Sequence, residues 1–225
     1  MPPHRYSYVI LSRLQFGAVF PQEVSMATPL IVGLAIGLVY GSFLEWFIHK
    51  VVMHSTSISQ LAFDRHAIEH HVQRRSLKTF YLSPDEDDKY HLMESSVIPL
   101  LWFGHLPVYF AVGYFYNVWA GVGVATSGLL YLLGYEFIHF FIHVPKGHWF
   151  QRTRMFRFYC EYHRVHHHKA KINYNIVIPF ADFVLRTQSF EYIRIEPSRP
   201  EFVLPDTGPA TVWRNPEATT STQNP

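Results

Sequence analysis

The residues of this chain that are most able to support chemistry are its histidines, because they are numerous and regularly spaced. Seven of the 15 histidines lie between Tyr135 and Ala170, and imidazole is the commonest metal ligand in proteins. Over the whole chain, four clusters stand out: His49 and His54; His66, His70 and His71; His139 and His143; and His163, His166 and His167, with His168 following. This pattern indicates metal binding.

Spacing within the clusters predicts how they would bind, because residues three or four apart share one face of a helix. The pairs that this predicts are His139 with His143, His66 with His70, and His163 with either His166 or His167. His49 and His54 are separated by about 140° on an ideal helix, so either the helix opens between them or they bind different ions. Ten histidines, at about four to six ligands per transition ion, predict two metal ions.

The last cluster allows two registers, since His163, His167 and His168 would repeat the gap of the second cluster. We favour the register with His166 and His167. The remaining histidines are expected to be bystanders: His105 as a hydrogen-bonded residue of an apolar helix, and His4, His91 and His148 at the surface. Four acidic residues are candidates to orient ligand imidazoles through hydrogen bonds: Glu45, Glu69, Glu136 and Asp182.

The clusters follow two long runs without Asp, Glu, Lys or Arg, and the helices formed by those runs should position them. The first run has 21 residues after Glu23, and the second has 41 residues after Glu94. Because about 20 apolar residues cross a bilayer, the first predicts one span, Met26 to Phe47, and the second predicts two. A pair of buried helices in a soluble protein is the alternative.

The spans should lead directly into the histidines. Tyr116, Asn117 and Gly121 lie at the midpoint of the second run, where a tight hairpin would turn. No helix breaker separates the first span from His49, or the last span from His143, so both helices are expected to continue into the site. Residues 147–170 are expected to form a basic, aromatic helix outside the membrane.

Basic residues predict the orientation. Of the 19 Lys and Arg residues, two precede residue 26, six lie within 46–95 and eleven follow residue 143. The hairpin returns the chain to the side that it left, so the two larger groups face one compartment, which the positive-inside rule makes the cytosol. We therefore expect an integral membrane protein with its site on the cytosolic face, in the endoplasmic reticulum of a eukaryote or the inner membrane of a bacterium.

Charge and cysteine content indicate which binding partners and which compartment to expect. The formal net charge is +2, but the basic excess faces one leaflet and favours anionic lipid head groups; nucleic acid is not implied. The single cysteine, Cys160, excludes an intrachain disulfide and fits a reducing compartment. The N-terminal residues lack a signal-peptide pattern, so the first span is expected to be retained as an anchor.

The chain divides into three regions. Residues 1–25 are a lead-in, residues 26–190 form the membrane domain, and residues 191–225, rich in proline and polar residues, are expected to be a disordered tail. Within the membrane domain, residues 173–187 are apolar but too short to span, so they should lie on the bilayer or cover the site. The HExxH motif of zinc proteases is absent from the sequence.

In this order, EWFIHKVVMH, RHAIEHH, YEFIHFFIH and YHRVHH resemble the motifs of the fatty acid hydroxylase superfamily, the membrane-bound di-iron group that also contains sterol desaturases and carotenoid ring hydroxylases. The resemblance extends to NYNIVIPFADFVLRT and covers residues 30–190. Two positions depart from the family pattern. Three residues, rather than two, separate His66 from the following His pair, and Arg186 replaces a small residue before Thr187.

The resemblance implies an all-α integral membrane protein with about three to four transmembrane helices and a cytosolic helical cap. It implies that two irons activate O2 and oxidise a C–H bond of a fatty acyl or sterol-type lipid. Electrons would come from a separate cytochrome b-type protein or a ferredoxin with its reductase, and no catalytic residue is expected beyond the metal ligands. The ligands carried over are His49, His54, His66, His70, His71, His139, His143, His163, His166 and His167.

Related activities remain open. Hydroxylation and desaturation share the first hydrogen abstraction, and the sequence does not distinguish them. HKVVMH resembles the first motif of carotenoid ring hydroxylases, whereas FIHVPK and YHRVHHHKA resemble the acyl hydroxylases more. From a different class, a histidine-rich membrane metal transporter or sensor is disfavoured because the spans carry no polar stripe. Iron, rather than zinc or copper, is implied by the resemblance alone.

Overall fold

A computed structural model of the chain describes residues 25–75, 80–82, 99–144 and 146–190. Within these ranges every regular element is helical, which confirms the all-α class. The lead-in up to residue 24, the proline-rich tail from residue 191, His4 and His91 lie outside the described residues.

The first long helix, α1, covers Ala27–Phe47 and continues without a break as a π-helix, Ile48–Met53. Together they make one apolar helix of 27 residues, as the missing breaker before His49 predicted. Ile31, Ile36 and Val39 are exposed along it, while Gly33, Gly37 and Gly41 are buried. An exposed apolar face opposite a buried face of small residues is typical of a membrane helix that packs on a neighbour.

The second uncharged run folds as a helical hairpin. It consists of α4 (Leu100–Phe103), α5 (Leu106–Phe115) and α6 (Val118–His143). The turn falls at Tyr116 and Asn117, as predicted, and the Asn117 side chain caps α6 by accepting a hydrogen bond from Trp119 N at 2.8 Å. Gly121 lies inside α6, where a Cβ would come within 2.9 Å of Gly113 Cα; its role is close helix approach.

Helices α1 and α6 run side by side in the same direction. Gly33 meets Ala120, Gly37 meets Ser127, and Gly41 meets Tyr131, so positions rise together along both helices. A Cβ on Gly33 or Gly37 would overlap atoms of α6. Because both helices end on the same side, His49 and His143 arrive at one place.

Two helices of the described residues, Ala27–Met53 and Val118–His143, are long and apolar enough to cross a membrane. The apolar segment Leu100–Phe115 is shorter and is interrupted at Gly104 and His105. Three to four spans therefore stay a prediction.

The other helices are short and lie around the ends of α1 and α6. They are α2 (Gln60–Phe63), a second π-helix (Asp64–His70), α3 (His71–Arg74), a 3-10 turn (Trp149–Arg152), α7 (Arg154–His168) and α8 (Phe180–Val184). Helix α7 begins later than the predicted residue 147, because Thr153 caps it by accepting a hydrogen bond from Phe156 N at 3.2 Å.

Candidate metal centre

Five histidines converge in a first group: His49, His54, His66, His71 and His166. One ring nitrogen from each lies within 4.8 Å of all the others. The Nε2 atom of His66 is 2.9 Å from that of His49 and 3.2 Å from that of His71, and the Nε2 atoms of His54 and His166 are 3.1 Å apart. His54 is half-buried and the other four are buried.

Five more histidines form a second group within the same limit: His70, His139, His143, His163 and His167. All five are buried. The Nε2 atom of His163 is 3.1 Å from that of His143 and 2.9 Å from that of His167, and His139 Nε2 is 3.2 Å from His70 Nε2. The ten histidines of the two groups are the ten that the family motifs indicate.

A change of helix type brings His49 and His54 together. The π-helix Ile48–Met53 is closed by a hydrogen bond from His54 N to His49 O, five residues back, at 3.1 Å. A π-helical turn is wider than an α-helical turn, so residues five apart face the same way, and the two rings stack at 5.2 Å and 25°. Of the two alternatives for this pair, the helix opens and both residues serve one group.

The same geometry corrects the predicted pair of His66 with His70. Asp64–His70 is π-helical, so His66 faces with His71, five residues on, and His70 belongs to the other group. In the α-helices the four-residue spacing holds: His139 pairs with His143, and His163 pairs with His167. His166 does not pair with His163, because the His166 side chain belongs to the first group and the His163 side chain to the second.

Each adjacent pair, His70 with His71 and His166 with His167, divides between the two groups. Neighbouring side chains of a helix point about 100° apart, so one dipeptide can supply two sites. The groups touch through stacked rings, one from each group: His66 and His70 at 5.3 Å, His71 and His167 at 4.2 Å, and His163 and His166 at 5.7 Å. The two sites are therefore direct neighbours.

Main-chain carbonyl groups orient three of the imidazoles. His143 Nδ1 donates to Phe80 O at 2.8 Å, and His166 Nδ1 donates to Ile172 O at 2.7 Å. His49 Nδ1 donates to Tyr174 O. A hydrogen on Nδ1 leaves the Nε2 lone pair free toward the centre of the group, which is the tautomer that a metal ion requires. The Nε2 atoms of these imidazoles are therefore in the state that can bind a cation.

Contrary to the prediction, Glu45 does not bond to a ligand imidazole but to residues that hold the neighbouring segments in place. The Glu45 carboxylate accepts hydrogen bonds from Tyr131 OH at 2.9 Å, Asn175 Nδ2 at 3.0 Å and Ile176 N at 2.5 Å. It therefore ties α1 to α6 and to the segment that follows Tyr174. Glu69 is exposed and Glu136 is half-buried on α6; both lie outside the histidine groups.

Asp182 is buried and braces the same segment from the other side. Its carboxylate accepts from Asn175 N at 2.7 Å, Tyr162 OH at 2.9 Å and Thr187 Oγ1 at 2.6 Å. Asn173 adopts a left-handed conformation, with φ of 57°. The start of the segment covers part of the first group, because the Tyr174 ring lies 5.6–6.1 Å from those of His49, His54 and His166. The hydrogen bonds of Asp182 hold this segment in place, and the Tyr174 carbonyl group connects it to His49.

Phe80 is a site residue that the sequence did not reveal. Its ring is buried 4.7 Å from that of His143 and 5.3 Å from that of His167. Leu82 N donates to His143 O at 2.7 Å, so residues 80–82 attach to the end of α6. A backbone acceptor can come from any residue type, so composition and spacing carried no signal for it.

Burial lowers the pKa of six of the converging histidines that lie outside the two long helices. The pKa values of His66, His71, His163, His166 and His167 fall well below the usual value because of desolvation and then because of neighbouring imidazoles. Burial lowers the pKa of His54 to about 4. These rings are neutral at pH 7, as metal ligands must be.

The other histidines of the described residues stand apart from both groups. His168 is exposed, so His166 and not His168 completes the last cluster of the converging set. His148 is exposed and stacks on Phe150 at 5.5 Å. His105 is buried between helices, with Nε2 3.0 Å from Gly37 O, which matches the expected hydrogen-bonded role.

A comparison of the chain with protein-family models, curated proteins and solved structures gives no match. The case for a metal centre therefore rests on the geometry of the ten imidazoles. The two groups could hold metal ions, and both consist of histidine alone in the part of the chain that is described.

Proposed function

We propose that this chain is an integral membrane di-iron oxygenase that uses O2 to hydroxylate an unactivated C–H bond of a membrane lipid, of the fatty acyl or sterol type. The observation that carries the proposal is the convergence of ten histidines into two adjacent groups at the ends of two apolar helices. The exposed apolar side chains along both helices, such as Ile31 and Val39 on α1 and Leu130 and Leu133 on α6, support a membrane setting.

The donor set supports iron without requiring it. Imidazole binds iron as well as zinc, copper and nickel, and the resemblance of the four motifs to the fatty acid hydroxylases favours iron. Bound iron would supply the reduction of O2 and the oxidation of the C–H bond. His49, His54, His66, His71 and His166 would hold one ion, and His70, His139, His143, His163 and His167 the other.

The residues of the chain then have three tasks. Imidazole Nε2 atoms hold the ions, and the carbonyl groups of Phe80, Ile172 and Tyr174 keep three of those imidazoles in the required tautomer. Burial keeps water from competing at the site. The position at the ends of α1 and α6 lets a lipid reach the centre from the bilayer without leaving it.

Electrons have to be delivered from outside the chain. Inserting one oxygen atom of O2 into a C–H bond and releasing the other as water consumes two electrons and two protons. We assign their delivery to a separate carrier, a cytochrome b-type protein or a ferredoxin with its reductase. The cytosolic side, on which the positive-inside rule places the histidines, is where such carriers are accessible.

The experiment is metal analysis and turnover of the purified full chain in nanodiscs. We expect about two irons per chain and O2-dependent formation of a lipid product that is heavier by one oxygen atom, with a reductant and carrier supplied. The matched control is His168→Ala, which removes an exposed histidine of α7 that stands outside both histidine groups. Wild-type protein that takes up no iron, or a His143→Ala variant with full iron and full turnover, would overturn the proposal.

A further inference from the structure

Helix α8 is attached to α1 within its apolar length. The Ala181 N–H donates to Ser42 Oγ at 2.9 Å, and Ser42 Oγ donates to Ile178 O at 2.7 Å. The rings of Phe43 and Phe180 meet edge to face at 5.9 Å. Ser42 and Phe43 belong to the helix Ala27–Met53, which is long enough to cross a membrane.

Trp46 and Lys50 mark the level of the membrane surface on that helix. Lys50 Nζ lies 4.3 Å from the centre of the Trp46 ring, and Trp and Lys side chains are typical of the interface between lipid and water. Phe43, which contacts α8, precedes Trp46 by three positions and Lys50 by seven. The helix rises about 5–10 Å over those positions, so α8 lies about that much deeper than this interface.

The outer face of α8 is apolar and uncovered. Phe183 is 66% exposed and Val184 48% exposed, with Phe180 and Leu185 exposed beside them. The polar residue of the helix, Asp182, points inward and is fully buried. Arg186 follows at the exposed C-terminal end, where a long cationic side chain can extend toward head groups.

We infer that α8 is inserted into the cytosolic leaflet, with Phe183 and Val184 in contact with the outer part of the hydrocarbon layer. The inference needs α1 to span the membrane, as in the proposed function, but not the proposed catalysis. A depth of about 5–10 Å is usual for the apolar face of an interfacial helix, and the attachment of α8 to Ser42 provides that depth. The occupant of this face is lipid, since the apolar surface of α1 beside it is also exposed at Val39 and Phe47.

Spin labels in nanodiscs test this placement. Phe183→Cys and Val184→Cys would each be labelled, and collisions of the label with O2, which concentrates in lipid, would be compared with collisions with a water-soluble nickel chelate. Burial raises the pKa of the native Cys160 thiol to about 12. Because the thiolate is the form that reacts with a label, Cys160 should contribute little background labelling. Ile36→Cys, exposed midway along α1, is the lipid control, and Lys171→Cys, an exposed cation, is the water control.

We expect labels at 183 and 184 to collide several-fold more with O2 than with the nickel chelate, as at 36, and the label at 171 to show the reverse. If the label at 36 reports lipid while those at 183 and 184 report water, α8 is not inserted. If both reagents are excluded at 183 and 184, the face contacts protein and the inference also fails. If the label at 36 itself reports water, the membrane placement within the proposed function fails with it.

Discussion

The ring of His71 lies 4.2 Å from the ring of His167, and the two planes are inclined by only 11°. The rings belong to different groups, so this stacked pair is a direct junction between the two candidate metal sites. Each ring nevertheless directs its Nε2 atom toward its own group, as the contacts of His71 with His66 and of His167 with His163 show. The sites are adjacent but have separate ligands.

Separate ligands predict that the two ions can be lost one at a time. The double variant His54→Ala with His66→Ala removes two donors of the first group, and His143→Ala with His163→Ala removes two of the second. Each should lower the metal content from about two ions to about one per chain, since three donors are fewer than the usual four to six. Metal analysis of the purified protein measures this. The control is His148→Ala with His168→Ala; equal losses in the control would contradict the assignment.

Asp182→Asn should destabilise the cover over the first group. The amide cannot accept all the hydrogen bonds that Tyr162, Asn175 and Thr187 donate to the carboxylate. Leaving one buried donor unpaired costs about 1–3 kcal/mol, and thermal unfolding should shift accordingly. Glu69→Gln, at an exposed acid, should change the unfolding temperature little, and an equal shift in both variants would argue against a brace at Asp182.

Arg186→Gly should stabilise the protein. Arg186 has a φ of 56°, a left-handed conformation that costs a residue with a Cβ about 1–2 kcal/mol. Glycine avoids that cost but is freer when unfolded, so a net gain of about 0.5–1 kcal/mol is expected. Arg157→Gly, inside α7, is the matched control and should lose about 1 kcal/mol. A loss at both positions would rule out relief of backbone strain.

Gly37→Ala should separate α1 from α6. The added methyl group would overlap the Ser127 hydroxyl, and overpacking of this kind costs about 1–3 kcal/mol. Gly113→Ala is the control, because its Cβ would meet only Gly121 Cα, at 3.8 Å. Thermal denaturation in detergent compares the two. Equal stability of both variants would mean that the helices do not approach as closely as described.

Acid should destabilise the metal-free protein. Burial lowers the pKa of His54 to about 4 and those of His66 and His167 well below the usual value. The unfolded chain therefore takes up protons first, so the stability contributed by these neutral rings is present above about pH 6.5 and is lost as the pH falls toward 4.

Unfolding temperatures of chelator-treated protein at pH 7.5, 6 and 5 measure this loss. Metal-loaded protein should resist the same decrease to a lower pH, because bound ions compete with protons for the imidazoles. A metal-free unfolding temperature that stays constant from pH 7.5 to 5 would contradict the neutral, buried state of these rings.

Much of the architecture could be predicted because it depends on composition over long distances. The charge-free run before Glu45 and the one before Glu136 have the length of membrane helices, and α1 and α6 are found there. The histidines that converge were also visible, since His139 and His143 keep the α-helical spacing that a sequence shows.

The grouping of the histidines could not be predicted in the same way. Spacing assigns His66 to His70 only if the helix is α-helical, and the energy difference between an α- and a π-helical turn is not encoded in any single residue type. The carbonyl groups that orient the imidazoles could not be predicted for a related reason. Phe80 and Tyr174 contribute main-chain oxygens, and those atoms are common to every residue.

The π-helix Asp64–His70 explains how three residues can separate His66 from the His70–His71 pair, one more than in the motifs that the sequence resembles. An extra residue between His66 and the following pair would turn His66 away from its group in an α-helix. In a π-helix the wider turn absorbs that residue and returns the ring to the group. The wider helix therefore accommodates the three-residue gap. Deleting Ala67, with a return to α-helical winding, is expected to leave the ligand directions intact.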